Sequence, residues 1–318
     1  MKKAPLEIIT ASAGPQNPAI IYLAGLPKES SRINQRYDMD ALARRFGAPD
    51  AFSFDWSALR YEQMTALQTW LLENYKPRTA ARIMCAVKGT LKAARKMRLM
   101  SAEDYETAID LPTIKRGRSM AGRALTADEI AALLKTCRTG PPLRGTRDAA
   151  IIILMAGCGL RENEVTHASL SDYSPESGDL IVHGKGGGKG GKLRPAYLRN
   201  GTKTALDEWL IMRGNEAGAL FTRISQADEQ SLNYMSNISV WQMLKKRGEK
   251  AGLQPFTPHD LRRTFISDML SLTDLATVSR LAGHEDPATT AGYDRRPIQH
   301  TIDAATLMHI PFTPREKL

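Results

Sequence analysis

Apolar residues recur at helical spacing along most of this chain. Over residues 18–46, Ile20, Leu23 and Ala24 open one helical segment, and Tyr37, Leu42 and Phe46 mark a second beyond a turn. The spacing returns over 62–73 and over 78–98, where Ile83, Val87, Leu91 and Ala94 make an apolar stripe. No strand signal interrupts these segments. Residues 16–110 are therefore predicted to form an all-helical domain behind a tail of residues 1–15. Residues 111–122 hold one Pro, two Gly and three basic residues without periodicity, which predicts a linker. Beyond it Thr126, with Glu129 three residues on, makes a capping box ahead of Ile130, Leu133 and Leu134. The apolar run 149–156 predicts a buried helix. Across 180–198 apolar flanks around a glycine-rich centre predict a β-hairpin with a long tip. The expected fold class is mainly α with a small β-hairpin or sheet in a second, C-terminal domain over 123–300, an α+β arrangement. A segment over 301–318 follows, bearing Ile302, Ala305, Leu307, Met308 and Ile310.

At 318 residues the chain is long enough for two domains, each with its own core. Its 42% apolar and 25% charged residues are the proportions of a soluble globular protein. No apolar run approaches the roughly 18 residues of a membrane span. The basic opening Met1-Lys2-Lys3 leads into no signal-peptide core, so the expected location is cytoplasmic. Cys85, Cys137 and Cys158 are odd in number, far apart and outside any Cys-x-x-Cys pattern, which argues against a disulfide framework or a zinc site. No metal and no cofactor is expected.

Charge changes the picture more. The net charge is +10, which points to a polyanionic partner. Residues 1–122 hold 19 Lys and Arg against 12 Asp and Glu, and the rest hold 25 against 22. Between Lys76 and Arg98 there are eight basic residues and no acidic one. Arg78, Arg82, Lys88, Lys92, Arg95 and Lys96 lie largely beside or opposite the apolar stripe. They form either a solvated basic face or a phosphate-binding one.

Candidate chemistry sits in short segments of the second domain. In Gly157-Cys158-Gly159-Leu160-Arg161-Glu162-Asn163-Glu164-Val165 one helix stops at the glycines and another begins near Arg161. A cation at a helix N-terminus opposes the macrodipole by several tenths of a kcal/mol. Either a salt bridge offsets this, or Arg161 and the helix end hold the same anion. The hairpin tip carries Lys185, Lys189 and Lys192, and it imitates two nucleotide-binding signatures without satisfying either. Gly186-x-x-x-x-Gly191-Lys192 is followed by Leu193 where a P-loop needs Ser or Thr. Gly186-x-Gly188-x-x-Gly191 leads into a strand with Pro195 rather than a helix. In Phe256-Thr257-Pro258-His259-Asp260-Leu261-Arg262, Thr257 as N-cap and Pro258 at the first position start a helix. His259 and Arg262 then share a face, while Leu261 and Phe265 point to the core. An imidazole beside a guanidinium suits a phosphate that needs acid–base help. Further on, Gly283 closes a helix, and Asp286 with Pro287 opens another, placing Tyr293 about two turns along it. Taken alone, Tyr293 reads as core or surface, and the two helices also read as a helix-turn-helix DNA reader.

The order of these residues says more than any one of them. Arg161, a hairpin lysine, His259-x-x-Arg262, His284 and then Tyr293 closely resemble the tyrosine recombinase (phage integrase) family in a Xer-like layout, over roughly residues 16–300. The resemblance implies a site-specific DNA recombinase that cuts and rejoins strands through a 3′-phosphotyrosine, without metal, cofactor or ATP. It implies Tyr293 as nucleophile, Arg161 and Arg262 as the clamp on the scissile phosphate, and Lys185 as general acid to the 5′-oxygen. His259 would assist proton transfer at the tyrosine, His284 would donate to the phosphate, and Glu164 would brace the site. Lys189 competes with Lys185, because the stretch 186–191 is longer than the usual tip. The helical first domain resembles the family's core-binding domain, which turns Arg78, Arg82, Lys88, Lys92, Arg95 and Lys96 toward DNA. The implied partners are double-stranded DNA with a specific recombination site and further copies of the chain. These would form a tetramer on DNA in which segment 301–318 docks into a neighbour, working through a Holliday junction at the nucleoid. The alternatives are a type IB topoisomerase-like enzyme and a non-catalytic DNA-binding regulator on the same fold.

Overall fold

In a computed structural model of the chain, the described residues are 17–115, 122–184, 193–294, 296, 298–309 and 311. The chain divides into two compact units, Met1–Ser119 and Met120–Leu318. The described part of the first unit is helical: α1 (Pro18–Ala24), α2 (Glu29–Arg45), α3 (Tyr61–Asn74), α4 (Pro77–Lys96) and α5 (Ala102–Ile109). Helix α4 is its axis. Pro77 sets its first turn, and Ile83, Val87, Leu91 and Ala94 are all buried. Burial of each of the three larger ones contributes about 1.5–3 kcal/mol. The same core takes in Met39 and Leu42 of α2, Met64, Leu67 and Leu71 of α3, and Trp56. The Trp56 indole donates to the Ala51 carbonyl at 2.7 Å, so its one polar atom is satisfied. Helix α1 approaches α4 at Gly89, where a Cβ would lie 2.2 Å from the Tyr22 ring. The apolar pattern does not predict α5. Its start is written instead in Ser101, which accepts from the Asp104 N–H at 2.9 Å, and in an acidic first turn.

The second unit contains α6 (Ala127–Cys137), α7 (Pro142–Gly157), α8 (Glu162–His167), α9 (Gly201–Arg213), α10 (Asn237–Lys250), α11 (Pro258–Leu272), α12 (Leu275–Ala282), α13 (Pro287–Ala291) and α14 (Ile298–Thr306). Strands β1 (Tyr173–Ser174), β2 (Asp179–His183) and β3 (Leu193–Tyr197) form an antiparallel sheet in that order; β4 (Thr222–Ile224) and β5 (Gln230–Tyr234) form a separate hairpin. The predicted hairpin is β2–β3, with Leu180 opposite Ala196 and His183 opposite Leu193. Lys185, Lys189 and Lys192 at its tip lie outside the described residues. Ile151, Ile152, Leu154 and Met155 bury the middle of α7 completely. Asp148, also buried, accepts from Arg147 beside it and from Arg247 on α10 at 2.7 Å each, and Arg247 donates on to the Thr136 carbonyl of α6. A carboxylate held between two guanidiniums thus ties three helices together. Burial pushes the Cys137 and Cys158 thiols up to about 11, so both act as small apolar residues. A smaller cluster of Phe265, Ile266, Leu270, Val278, Ala282 and Tyr293 joins α11 and α12 to the segment after α13. Among the described residues no helix is long and apolar enough to cross a membrane.

Candidate active site

Two glycines bring the site together. Gly159, between α7 and α8, has φ +63°, and a Cβ there would lie 2.3 Å from the Phe265 ring. Gly283, closing α12, has φ +64°, and its Cβ would lie 2.4 Å from the Arg194 side chain. Both positions need the left-handed backbone and the missing side chain, so only glycine lets α8, α11 and α12 converge.

At the start of α8 the salt-bridge alternative for Arg161 is realised. Glu164 Oε1 accepts from Arg161 Nη1 at 2.7 Å, and Oε2 accepts the Arg161 backbone N–H at 2.9 Å. Oε2 also accepts from Arg194 Nη2 on β3 at 2.9 Å. The Glu164 side chain is 1% exposed and that of Arg161 34% exposed, so the brace is buried while the cation it holds reaches solvent. Arg194 Nη1 donates to the Leu281 carbonyl at 2.9 Å, linking the hairpin to the end of α12. Arg262 is 1% exposed and donates to the Gly159 and Ala282 carbonyls. Burial, and then the repulsion of Arg161, pull its guanidinium down to about 9, which still leaves it charged at neutral pH. Each Nη keeps a further N–H for a ligand.

Around this charge sit two neutral imidazoles and a phenol. Asp260 accepts the Thr257 N–H and hydroxyl at 2.9 Å each, fixing the first turn of α11 and with it His259. His259 Nε2 lies 2.9 Å from the Tyr293 hydroxyl. Burial, then Arg263 and Arg262, lower the His259 pKa and favour the neutral ring, and in the tautomer with its proton on Nδ1 this nitrogen accepts from the phenol. His284 Nδ1 lies 2.7 Å from the hydroxyl of Thr290, and its ring stacks on that of Tyr293 at 6.0 Å and 18°. Burial, then Arg262 and Arg161, lower His284 to about 4. In a neutral ring whose Nδ1 accepts from Thr290, Nε2 carries the proton and donates. Tyr293 itself is 8% exposed and does not lie two turns along a helix as expected. Helix α13 is only five residues, Gly292 caps it, and Tyr293 follows in the turn. Gly292 favours the helix by about 1 kcal/mol less than Ala would, which helps to stop it there.

The Phage integrase family profile matches residues 123–300. The chain belongs to that family. Tyrosine recombinase XerA of Pyrococcus furiosus is 32% identical over 183 residues, which is 57% of this chain and 60% of that protein. XerD of Pseudomonas putida is 29% identical over 231 residues, 70% of this chain and 73% of the relative. XerC of Lactobacillus delbrueckii subsp. bulgaricus is 29% identical over 288 residues, 88% and 93%. The chain therefore spans less than two thirds of the XerA relative and most of the XerC one. Solved structures share the fold. A lambda integrase dimer bound to a COC′ core site matches with a TM-score of 0.65 at 18% identity, covering 88% of this chain and 93% of that one. A Tn1549 transposon integrase in complex with a circular intermediate DNA matches at 0.67 and 13%, covering 92% and 99%.

Within this phage integrase member, Arg161, Glu164, His259, Arg262, His284 and Tyr293 converge, and Arg194, Asp260, Arg263 and Thr290 join them unforeseen. Two of these had a readable signal. Strand alternation puts Arg194 on the face of buried Ala196, and Arg263 follows His259 by four residues on one helix face. In the first unit Arg78, Lys92 and Lys96 are exposed on α4. Arg82 pairs with Asp38, and Arg95 lies over the Tyr105 ring at 5.3 Å. Lys88 departs from the outward-facing set: it is half-buried, and its Nζ donates to the Ile109 carbonyl at 2.7 Å. It caps the end of α5, where a cation meets the negative end of the helix dipole. Ile302, Leu307 and Met308, in and just after α14, are 49%, 85% and 76% exposed. Ile310 lies outside the described residues.

Proposed function

We propose that this chain is a site-specific DNA recombinase that breaks and rejoins strands through a 3′-phosphotyrosine on Tyr293. The observation that carries the reading is the 2.9 Å contact between His259 Nε2 and the Tyr293 hydroxyl, set among guanidiniums. A phenol with a pKa of about 10 is a poor nucleophile at neutral pH without a base. Neutral His259 takes its proton as the oxygen attacks phosphorus. Arg161 and Arg262 stabilise the charge on the pentacoordinate phosphorane, where removing one such stabiliser typically slows a reaction by about 10²–10³. His284 donates to a phosphate oxygen. Lys185 at the hairpin tip protonates the 5′-oxygen as it leaves. The P–O bond to the 5′-oxygen breaks as the bond to Tyr293 forms, so a 5′-hydroxyl from another strand reverses the step without ATP. The substrate is double-stranded DNA with a specific site, bound in part by Arg78, Lys92 and Lys96.

The working species is a homo-tetramer on two DNA sites at the nucleoid. In support, a lambda integrase tetramer bound to a Holliday junction shares the fold with a TM-score of 0.62, and residues 301–309 are exposed with their apolar side chains uncovered. The test selects the bound DNA site and then offers it as a nicked duplex from which the 5′-hydroxyl fragment escapes. A covalent protein–DNA complex should accumulate with EDTA present, and a paired-site substrate should give recombinants. Relaxation of supercoils without recombinants would replace this reading with a topoisomerase.

A further inference from the structure

Beneath the Tyr293 ring lies a charged pair that the chemistry above does not use. Arg263 is 5% exposed, its Nη1 donates to Asp260 Oδ1 at 2.8 Å, and its Cζ stands 5.6 Å from the centre of the Tyr293 ring. The chain passes directly over the pair. Gly122 has φ +101°, a Cβ there would lie 2.0 Å from Arg263 Nη1 and 2.2 Å from Asp260 Oδ1, and the next N–H, of Arg123, donates to Asp260 Oδ1 at 3.1 Å. Water is thereby kept from one side of the guanidinium and the aromatic ring covers another. Arg263 Nε is buried with no hydrogen-bond partner among the described residues.

For stability alone this is a poor arrangement. Asp260 already caps α11 through Thr257, and apolar residues in place of a buried ion pair are often neutral or stabilising. The position explains the charge better. Arg263 follows His259 by one helical turn, so a single guanidinium faces both the ring of the nucleophile and the imidazole bonded to its hydroxyl.

We infer that Arg263 is a positioning residue for Tyr293: clamped by Asp260 against the ring, it holds the hydroxyl on His259 and presents a fixed positive charge to that imidazole. The catalytic half of this inference rests on the recombinase reading; the geometric half does not. The groups facing His259 are Asp260, Arg262 and Arg263 from α11, Arg161 from the start of α8, and Tyr293 with His284 from around α13. After burial, Arg263 is the first cause of the lowered His259 pKa, and Asp260 opposes it. Removing the Arg263 charge therefore raises the pH at which His259 takes up a proton. A protonated His259 accepts nothing from the phenol, so cleavage should fail at a higher pH than in the unaltered protein.

Arg263→Met and Arg263→Lys separate charge from shape. Two measurements are made on the full chain. One is an NMR titration of the His259 ring without DNA, its signal assigned by loss in His259→Gln. The other is single-turnover cleavage of the nicked duplex across pH. Arg263→Met should titrate His259 at higher pH, move the acid limb of cleavage up with it, and slow cleavage about tenfold at about pH 8, as expected when a desolvated cation no longer sits on the ring. Arg263→Lys should keep the wild-type titration while cleaving several-fold more slowly, because a point charge does not stack on the ring. DNA affinity should be unchanged in both. A His259 titration unmoved in Arg263→Met, or cleavage by it at the wild-type rate, overturns the inference. Should Arg263→Met melt too low to study, wild-type cleavage by Arg263→Lys overturns the positioning role instead. Failure of the wild-type chain to form any covalent complex defeats the recombinase reading, and the titration still decides whether Arg263 sets the state of His259.

Discussion

Glu164→Ala should destabilise the second unit by about 3 kcal/mol, at the lower end of the cost of breaking a buried pair. The carboxylate accepts from the Arg161 backbone, from Arg161 Nη1 and from Arg194 Nη2. The two guanidiniums do not lose equally. The Arg161 side chain is 34% exposed and recovers water, so its share is that of a screened surface pair, under about 1 kcal/mol. Arg194 is 12% exposed and among the described residues keeps its bond to the Leu281 carbonyl alone, so most of the loss falls there. In a unit of roughly 200 residues each kcal/mol moves the melting midpoint by about 2–4 °C, which predicts a fall of about 6–12 °C. Glu164→Gln keeps the shape and one acceptor and should lose about half as much. Calorimetry on both variants reads this directly. A Glu164→Ala midpoint within about 1 °C of wild type would show that water replaces the carboxylate and that the three-way bridge supports nothing.

Other consequences follow from the same geometry. His284 is lowered from 6.5 to about 4 in the folded chain, so between those pH values the unfolded chain binds the extra proton and stability falls as pH falls. Urea unfolding across that window should show a shallower pH slope for His284→Gln, and an unchanged slope would contradict the assignment. Replacing Arg78, Lys92 and Lys96 with Ala should flatten the salt dependence of DNA binding by about 0.9 log units for each phosphate no longer neutralised, whereas an unaltered slope in a filter-binding series returns α4 to a solvated face. Deleting residues 301–318 should spare single-site binding in a gel shift and impair two-site recombination; full recombination would remove the segment from the mechanism.

The parts of the fold that were legible were those written in local chemistry. The capping box at Thr126, Pro258 after Thr257, and Gly283 each sit where the expected helix ends lie. The apolar stripe of α4 named its buried face outright. Helix α5 was not legible from periodicity because only Tyr105 and Ala108 within it are buried, too few to make a stripe. Arg161, Glu164, His259, Arg262, His284 and Tyr293, which order along the chain singles out through the family resemblance, lie together, while Lys185 lies outside the described residues. What order does not carry is how charges are satisfied. Glu164 serves two arginines, one of them 30 residues away on a strand, and Asp260 serves Arg263 under a glycine 138 residues earlier. Such pairings depend on which elements pack together. Lys88 shows the converse: periodicity sets it beside the apolar stripe of α4 with the other basic residues, but nothing local in the sequence tells that the end of α5 meets its ammonium.

The most direct test of the account is to trap the protein on its nicked site, digest the complex and identify by mass spectrometry the residue that carries the DNA. The predicted result is a 3′-phosphate ester on Tyr293 in the wild-type chain and none in Tyr293→Phe, which keeps the ring, its stack on His284 and its DNA affinity while losing only the attacking oxygen. A covalent adduct on any other residue, or one that persists in Tyr293→Phe, would contradict it.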